Sequence, residues 1–348
     1  MSVSIRGLNF SIPVLNSSCP WASDLDDLTA LYASPFTGGI TTRTSTLKGF
    51  PDDPKLHQVA FASNGITTLN SYGYSPYPLS QYLEWVQQII SSSPNSTKPI
   101  IISVTFDSPG PNGNESETSL DTLLGMIQTI RRQLSDIPPV DGTNSSRRCT
   151  TRIAVEINTS CPNIVNKPPP SYEPESLLPL LSVVAAHTAE DPSLVVGLKL
   201  PPYVHAKQFT DVVDVLSKLP SNQGLHPIAF LTCTNTLGSS LLFEDQTLPS
   251  HFENPSEFAV PSIYGGLAGE PIHPLSLGNV HRFSNLLRLN PDRSIRDIVV
   301  IGVGGVTSAE AVKRMVRAGA TLVECASALG SRGVSVFEDL AKAFGDAS

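Results

Sequence analysis

The stretch Arg152-Ile153-Ala154-Val155-Glu156-Ile157-Asn158-Thr159-Ser160-Cys161-Pro162-Asn163 opens as a strand and breaks into a polar turn. Residues 152–157 are rich in β-branched and apolar side chains, as in a strand buried on both faces. The turn then carries two amides (Asn158 and Asn163), an ionisable thiol (Cys161) and a proline that fixes its course. A buried strand that ends in such groups places them at the mouth of a site. The competing reading is a structural cysteine packed beside an asparagine turn.

The pattern repeats along the chain. Short apolar runs at 12–16, 39–44, 99–106, 152–158, 194–200, 227–234, 297–303 and 322–326 make eight candidate strands. Between them, helical spacing of apolar residues occurs at 24–33, 79–91, 119–134, 173–188, 206–219, 274–289, 308–318 and 334–344. Eight strand–helix units with strands that do not alternate in polarity predict a parallel sheet covered by helices, a (β/α)8 TIM barrel in one domain over 1–348. An open doubly wound sheet is the alternative. Long connections at 47–78 and 234–273 follow the second and sixth strands, where barrels place substrate. The second has room for a small β excursion over the mouth. The Pro-, Ser- and Asn-rich segment 135–151 precedes the fourth strand and reads as a flexible surface insertion.

Composition narrows the class of function. The 348 residues carry a net charge of −8, which argues against a nucleic-acid partner. No apolar run reaches the length of a membrane span, and residues 1–7 lack a charged-then-apolar leader. The five cysteines are widely spaced with no Cys-x-x-Cys pair, as expected of reduced thiols in a cytoplasmic enzyme without a structural metal.

The strand ends carry the chemistry. Lys199 sits in an otherwise apolar strand, where a cation needs a charged partner, and a flavin edge, a carboxylate or a Schiff-base carbonyl would each serve. Gly302-Val303-Gly304-Gly305-Val306 on strand seven lets the backbone approach an anion, with Thr307 or Ser308 capping the next helix; Cys325-Ala326-Ser327-Ala328 follows strand eight. Together these turns form the usual phosphate site of such barrels.

Six motifs in order resemble those of the dihydroorotate dehydrogenases, specifically the soluble, fumarate-using class. They are Asn70-Ser71-Tyr72-Gly73, Asn158-Thr159-Ser160-Cys161-Pro162-Asn163, Lys199-Leu200-Pro201-Pro202-Tyr203, Thr232-Cys233-Thr234-Asn235-Thr236, Gly265-Gly266-Leu267-Ala268-Gly269 and Gly302-Val303-Gly304-Gly305-Val306. The resemblance implies oxidation of (S)-dihydroorotate to orotate in pyrimidine biosynthesis, with FMN as cofactor, fumarate as acceptor and a homodimeric assembly. It makes Cys161 the base that takes a proton from the substrate ring. It assigns substrate to Asn70, Ser71, Tyr72, Gly73, Tyr74, Asn158, Asn163, Asn235 and Thr236. FMN falls to Ser17, Thr42, Arg43, Asn158, Lys199, Thr234 and Gly266, its phosphate to Gly304, Gly305, Ala326 and Ser327.

The chain also departs from the family pattern. Arg43 stands where the family has a strand-two lysine, and a planar fork is not an interchangeable cation. Tyr74-Ser75-Pro76 replaces Leu-Pro-Asn in the substrate loop, and Asn16-Ser17-Ser18-Cys19 replaces Asn-Ala-Ser-Gly. These changes leave open a flavin oxidoreductase acting on a related dihydropyrimidine. A colourless lyase or aldolase using Lys199 as a Schiff base is the alternative from another class.

Overall fold

A computed structural model describes residues 2–107, 115–135, 152–164, 168–248 and 257–345. Eight parallel strands form one sheet: β1 (Val14–Asn16), β2 (Ile40–Thr41), β3 (Ile100–Val104), β4 (Ile153–Asn158), β5 (Val195–Leu200), β6 (Phe230–Cys233), β7 (Val299–Val303) and β8 (Leu322–Cys325). Their order is β1-β8-β7-β6-β5-β4-β3-β2, that of a TIM barrel, so the open doubly wound sheet is set aside. Eight main helices cover the strands: α1 (Leu25–Ala33), α2 (Leu79–Ser92), α3 (Glu115–Gln133), α4 (Leu178–Glu190), α5 (Ala206–Leu216), α6 (His273–Arg288), α7 (Ala309–Ala318) and α8 (Val336–Ala341). The second strand is shorter than its apolar run: its ladder with β3 covers Ile40 and Thr41, and pairing resumes beyond it as a single bridge between Ser45 and Val104. The proposed insertion at 135–151 lies, apart from Ser135, outside the described residues.

β1 and β2 end the strand order, and a side chain joins them. The Asn16 amide donates to the Thr41 carbonyl at 2.6 Å and accepts from the Thr41 N–H at 3.0 Å, standing in for a peptide group. One backbone bond, Gly38 N–H to the Val14 carbonyl at 2.9 Å, supports the same seam. Asn16→Ala would leave a buried donor and a buried acceptor of Thr41 unpaired, a cost of about 2–5 kcal/mol. Denaturant unfolding of the variant should show that loss.

Ladder partners fix what each strand turns inward. The bottom of the barrel is apolar: Leu15, Ile101, Ala154, Val195, Phe230, Ile301 and Leu322 pack in one cluster with Ile5, Leu8 and Phe10. Those last three belong to an N-terminal hairpin, Val3–Ile5 paired with Leu8–Phe10, that plugs this end. Its strands of three residues are too short to stand out in the sequence. Gly197 makes room for the Phe230 ring, since a Cβ there would lie 2.1 Å from it. Above this floor the interior turns polar, with Thr41, Ser103, Glu156, Thr232 and Glu324 all buried. The large outer cluster, including Leu31, Val86, Leu124, Val184, Phe283 and Phe337, lies between strands and helices.

The two long loops build one structure over the mouth. Strands from 47–78 (Val59–Phe61, Thr67–Asn70) and from 234–273 (Leu237–Ser240, Gly265–Gly269) form a four-stranded antiparallel sheet, as the length of the second loop suggested. No helix among the described residues is long and apolar enough to cross a membrane.

Candidate active site

The carboxyl ends of the strands and the overlying sheet enclose a cavity with two lobes of about 470 and 700 Å³, which share Ser18, Lys199, Asn235, Thr236, Ala326 and Ser327 in their walls. The smaller lobe is walled by the glycine turn after β7. Gly304 and Gly305 have φ of +125° and +65°. A Cβ at Gly304 would sit 2.0 Å from the Ser276 hydroxyl, and one at Gly305 2.5 Å from His273 Cβ. The turn is therefore held open as bare backbone. It is tied from behind, since His273 Nδ1 donates to the Gly304 carbonyl at 2.8 Å and Arg314 donates to His273 Nε2 at 3.0 Å. That tautomer keeps the ring neutral, and burial lowers its pKa. Ser308, rather than Thr307, caps α7 by accepting from the Ala311 N–H. Ala326 and Ser327 complete this wall, Ser327 paired through its hydroxyl with Thr68 of the overlying sheet at 2.9 Å. Thr234 also lines it and meets the Ser276 hydroxyl at 3.1 Å.

The larger lobe gathers most of the remaining candidates. Asn70, Tyr72, Gly73, Tyr74, Asn158, Cys161, Asn163, Asn235, Thr236 and Arg43 all line it. Asn163 donates to the Asn70 carbonyl, the Asn70 side chain and the Tyr72 carbonyl at 2.9–3.1 Å, stitching the cysteine loop to the substrate loop. Asn158 donates to Thr44 at 3.0 Å and accepts from the Ser160 N–H, the Ser160 hydroxyl and Asn235. The amides thus hold each other as well as facing the cavity. Arg43 is held by Ser23 (3.2 Å) and the Gly73 carbonyl (3.5 Å), and its guanidinium lies 5.3 Å from the centre of the Tyr72 ring. A planar fork makes these contacts to separate elements together, which a single ammonium does less well.

Three expected contacts lie behind the wall. The Ser71 hydroxyl donates to the Leu56 carbonyl at 2.5 Å and accepts from the Gln58 N–H at 2.9 Å, so it fixes the loop. Thr42 accepts from the Ser103 N–H at 3.0 Å and ties β2 to β3. Gly266 pairs with Asn70, and a Cβ on it would meet the Thr236 hydroxyl at 2.2 Å. Conversely, Trp21, Val59 and Thr68 line the cavity and belong to none of the quoted motifs. Trp21 follows strand one in a short turn, and nothing in its sequence context marks it.

The described lining residues carry two charged side chains, Arg43 and Lys199, and no carboxylate. It therefore suits an anionic ligand. Lys199 is 4% exposed and donates to the Ser17 hydroxyl at 2.9 Å and to the Ser18 carbonyl at 3.5 Å. The other titratable lining groups are thiols and phenols. Burial pushes the Cys19 thiol up to about 12, against the pull of Lys199 and Arg43, and raises Cys325 further. Burial likewise raises the Tyr72 and Tyr74 phenols. Tyr74 bonds to Thr105 and lines the same lobe as Cys161. Cys161 itself is half-buried.

Comparison with known proteins follows the same line. Relatives provisionally named dihydroorotate dehydrogenase A (fumarate) occur in Streptococcus agalactiae serotype Ia (26% identical over 342 residues, 98% of this chain and 91% of that one). Similar ones occur in Streptococcus pyogenes serotype M5 (26% over 341 residues, 98% and 91%) and Streptococcus uberis (27% over 336 residues, 97% and 89%). The model of the family described as dihydroorotate dehydrogenase matches residues 1–347, from the hairpin that plugs the barrel to its last helix, and the chain belongs to that family.

Proposed function

We propose that the protein is an FMN-dependent oxidoreductase that converts (S)-dihydroorotate to orotate with fumarate as electron acceptor. The observation that carries this reading is the proton chemistry of the cavity wall. Among the described lining residues, burial holds Cys19, Cys325, Tyr72 and Tyr74 in their protonated forms, and Arg43 and Lys199 are cations. That leaves Cys161, half-buried in the wall of the larger lobe, as the lining group suited to act as the base.

The residues present fit FMN. The bare turn at Gly304 and Gly305 with Ala326 and Ser327 would take the phosphate, and Lys199 would face the electron-rich edge of the ring. When bound, FMN supplies the hydride acceptor for substrate and returns the electrons to fumarate. The chain's own residues do the remainder. Cys161 as thiolate takes the proton from ring carbon five. Asn70, Asn158, Asn163 and Asn235 offer the alternating donors and acceptors that a pyrimidine ring presents. Arg43, fixed by Ser23, Gly73 and Tyr72, offers a rigid cation to the substrate carboxylate or the flavin. The four-stranded sheet over the mouth excludes water from the reacting atoms.

Anaerobic incubation with dihydroorotate and fumarate tests the reading. Orotate and succinate should form in equal amounts. Flavin-loaded protein that forms no orotate would reject the substrate, and protein that takes up no flavin would reject the cofactor.

A further inference from the structure

The polar layer beneath the mouth has no task in the reading above. Glu156 on β4 and Glu324 on β8 enter the barrel from opposite sides, and both are 0% exposed. One oxygen of each is served by a hydroxyl: Ser103 donates to Glu156 Oε1 at 3.2 Å, and Thr41 to Glu324 Oε1 at 3.4 Å. The other oxygens, Glu156 Oε2 and Glu324 Oε2, have no hydrogen-bond partner among the described residues, and neither has Thr232 Oγ1.

Hydrogen-bonded chains connect this layer to the cavity. Lys199 donates to Ser17, and Ser17 bonds to Glu324. Asn158 donates to Thr44, which meets the Ser103 hydroxyl at 2.9 Å; because Ser103 donates to Glu156, Thr44 is the donor to Ser103. The charged groups acting on Glu324 are Glu156 and Lys199. Ser17 just after β1, Thr41 on β2, Ser103 on β3 and Thr232 on β6 contribute hydroxyls only, and the β7 partner of Glu324 is Val303.

Charge counting then decides the protonation state. Two carboxylates with one ammonium would leave a net negative charge in a layer closed to water, with acceptor oxygens facing no donor. One proton neutralises the trio and supplies a donor where unpartnered oxygens have none. We propose that Glu156 and Glu324 hold a single proton between them and serve as a singly charged counterion that positions the Lys199 ammonium at the cavity floor. Burial first, and the Glu156 charge second, hold the Glu324 carboxyl well above its ordinary range, while Lys199 and the Ser17 and Thr41 hydroxyls pull it down. Loss of the proton at alkaline pH would put a net negative charge behind Lys199 and weaken any anion bound there.

The role given to Lys199 rests on the flavin reading; the shared proton does not. Infrared spectra of the purified protein test the proton directly. A protonated-carboxyl band should persist at about pH 7, where exposed Asp and Glu are ionised, and should fade as pH rises. It should be absent from both Glu156→Gln and Glu324→Gln, because either amide leaves one carboxylate for one ammonium. No such band in the wild type, or a band that survives either substitution, overturns the proposal.

Two pH profiles provide readouts that a purely structural role would not move. A carboxyl whose folded pKa is raised binds more protons in the folded state, so its stabilisation is complete below the unfolded value and is lost as pH rises through the folded one. The melting temperature of the wild type should therefore fall relative to that of Glu324→Gln as pH rises. FMN affinity of the wild type should weaken several-fold over the same range and stay flat in Glu324→Gln. Parallel profiles in the two proteins would remove the pair from its positioning role. A colourless protein that shows the infrared band would reject the flavin reading and keep the proton.

Discussion

Replacing Cys161 by alanine lowers the rate at which dihydroorotate reduces the bound flavin by about 10²- to 10⁴-fold, and the flavin content of the protein stays the same. The expectation follows from the distribution of protons around the cavity. Cys19 is the nearest substitute by chemistry, since it lines the same lobe, but burial pushes its thiol up to about 12 and it stays protonated. Tyr74 lines the same lobe as Cys161 with a phenol raised further by burial, so it cannot take over as base. Flavin content is unaffected because the glycine turn and Lys199 belong to other strands. Anaerobic stopped-flow absorbance measures the rate. Cys161→Ser should retain part of it and shift the profile to higher pH, because a hydroxyl is the weaker acid. An unchanged rate in the alanine variant would remove the thiol from its role.

The second large effect concerns the cofactor. Gly305→Val should yield folded protein with less than about a tenth of the wild-type flavin, a loss of more than ~1.4 kcal/mol of binding free energy. Gly305 adopts φ +65°, and a Cβ there would lie 2.5 Å from His273 Cβ and 2.9 Å from the Gly269 carbonyl. The valine must therefore push the turn away from the backbone behind it, into the lobe where a phosphate would sit. Circular dichroism separates loss of cofactor from loss of fold, and absorbance after FMN addition gives the occupancy. Full flavin content in the valine variant would move the phosphate elsewhere.

Much of this was legible in the residues. The repeated apolar runs located all eight barrel strands because a strand buried on both faces needs a continuous apolar stretch. Lys199 was visible as a charge out of place in such a run, and Cys161 as a thiol at the end of one. What could not be read depends on pairing between distant segments. The hairpin that plugs the barrel has strands of three residues, too short for periodicity to mark. Asn16 as the bridge across the seam requires knowing that β1 and β2 are neighbours without a ladder. Glu156 and Glu324 are 168 positions apart in sequence, and only closure of the barrel brings their charges to bear on each other and on Lys199. Ser71 and Gly266 belong to motifs that match the family, and the resemblance assigns Thr42 to the flavin, but all three hold the wall from behind. A motif identifies a segment; which of its side chains face the cavity depends on the local turn.

The central claim is that this cavity holds a flavin and passes dihydroorotate's electrons to it, with Cys161 as base. The visible absorbance spectrum of the FMN-loaded protein, recorded anaerobically before and after dihydroorotate is added, tests it most directly. The account predicts a flavin spectrum that dihydroorotate bleaches and fumarate restores. A flavin spectrum that dihydroorotate leaves unchanged would contradict it.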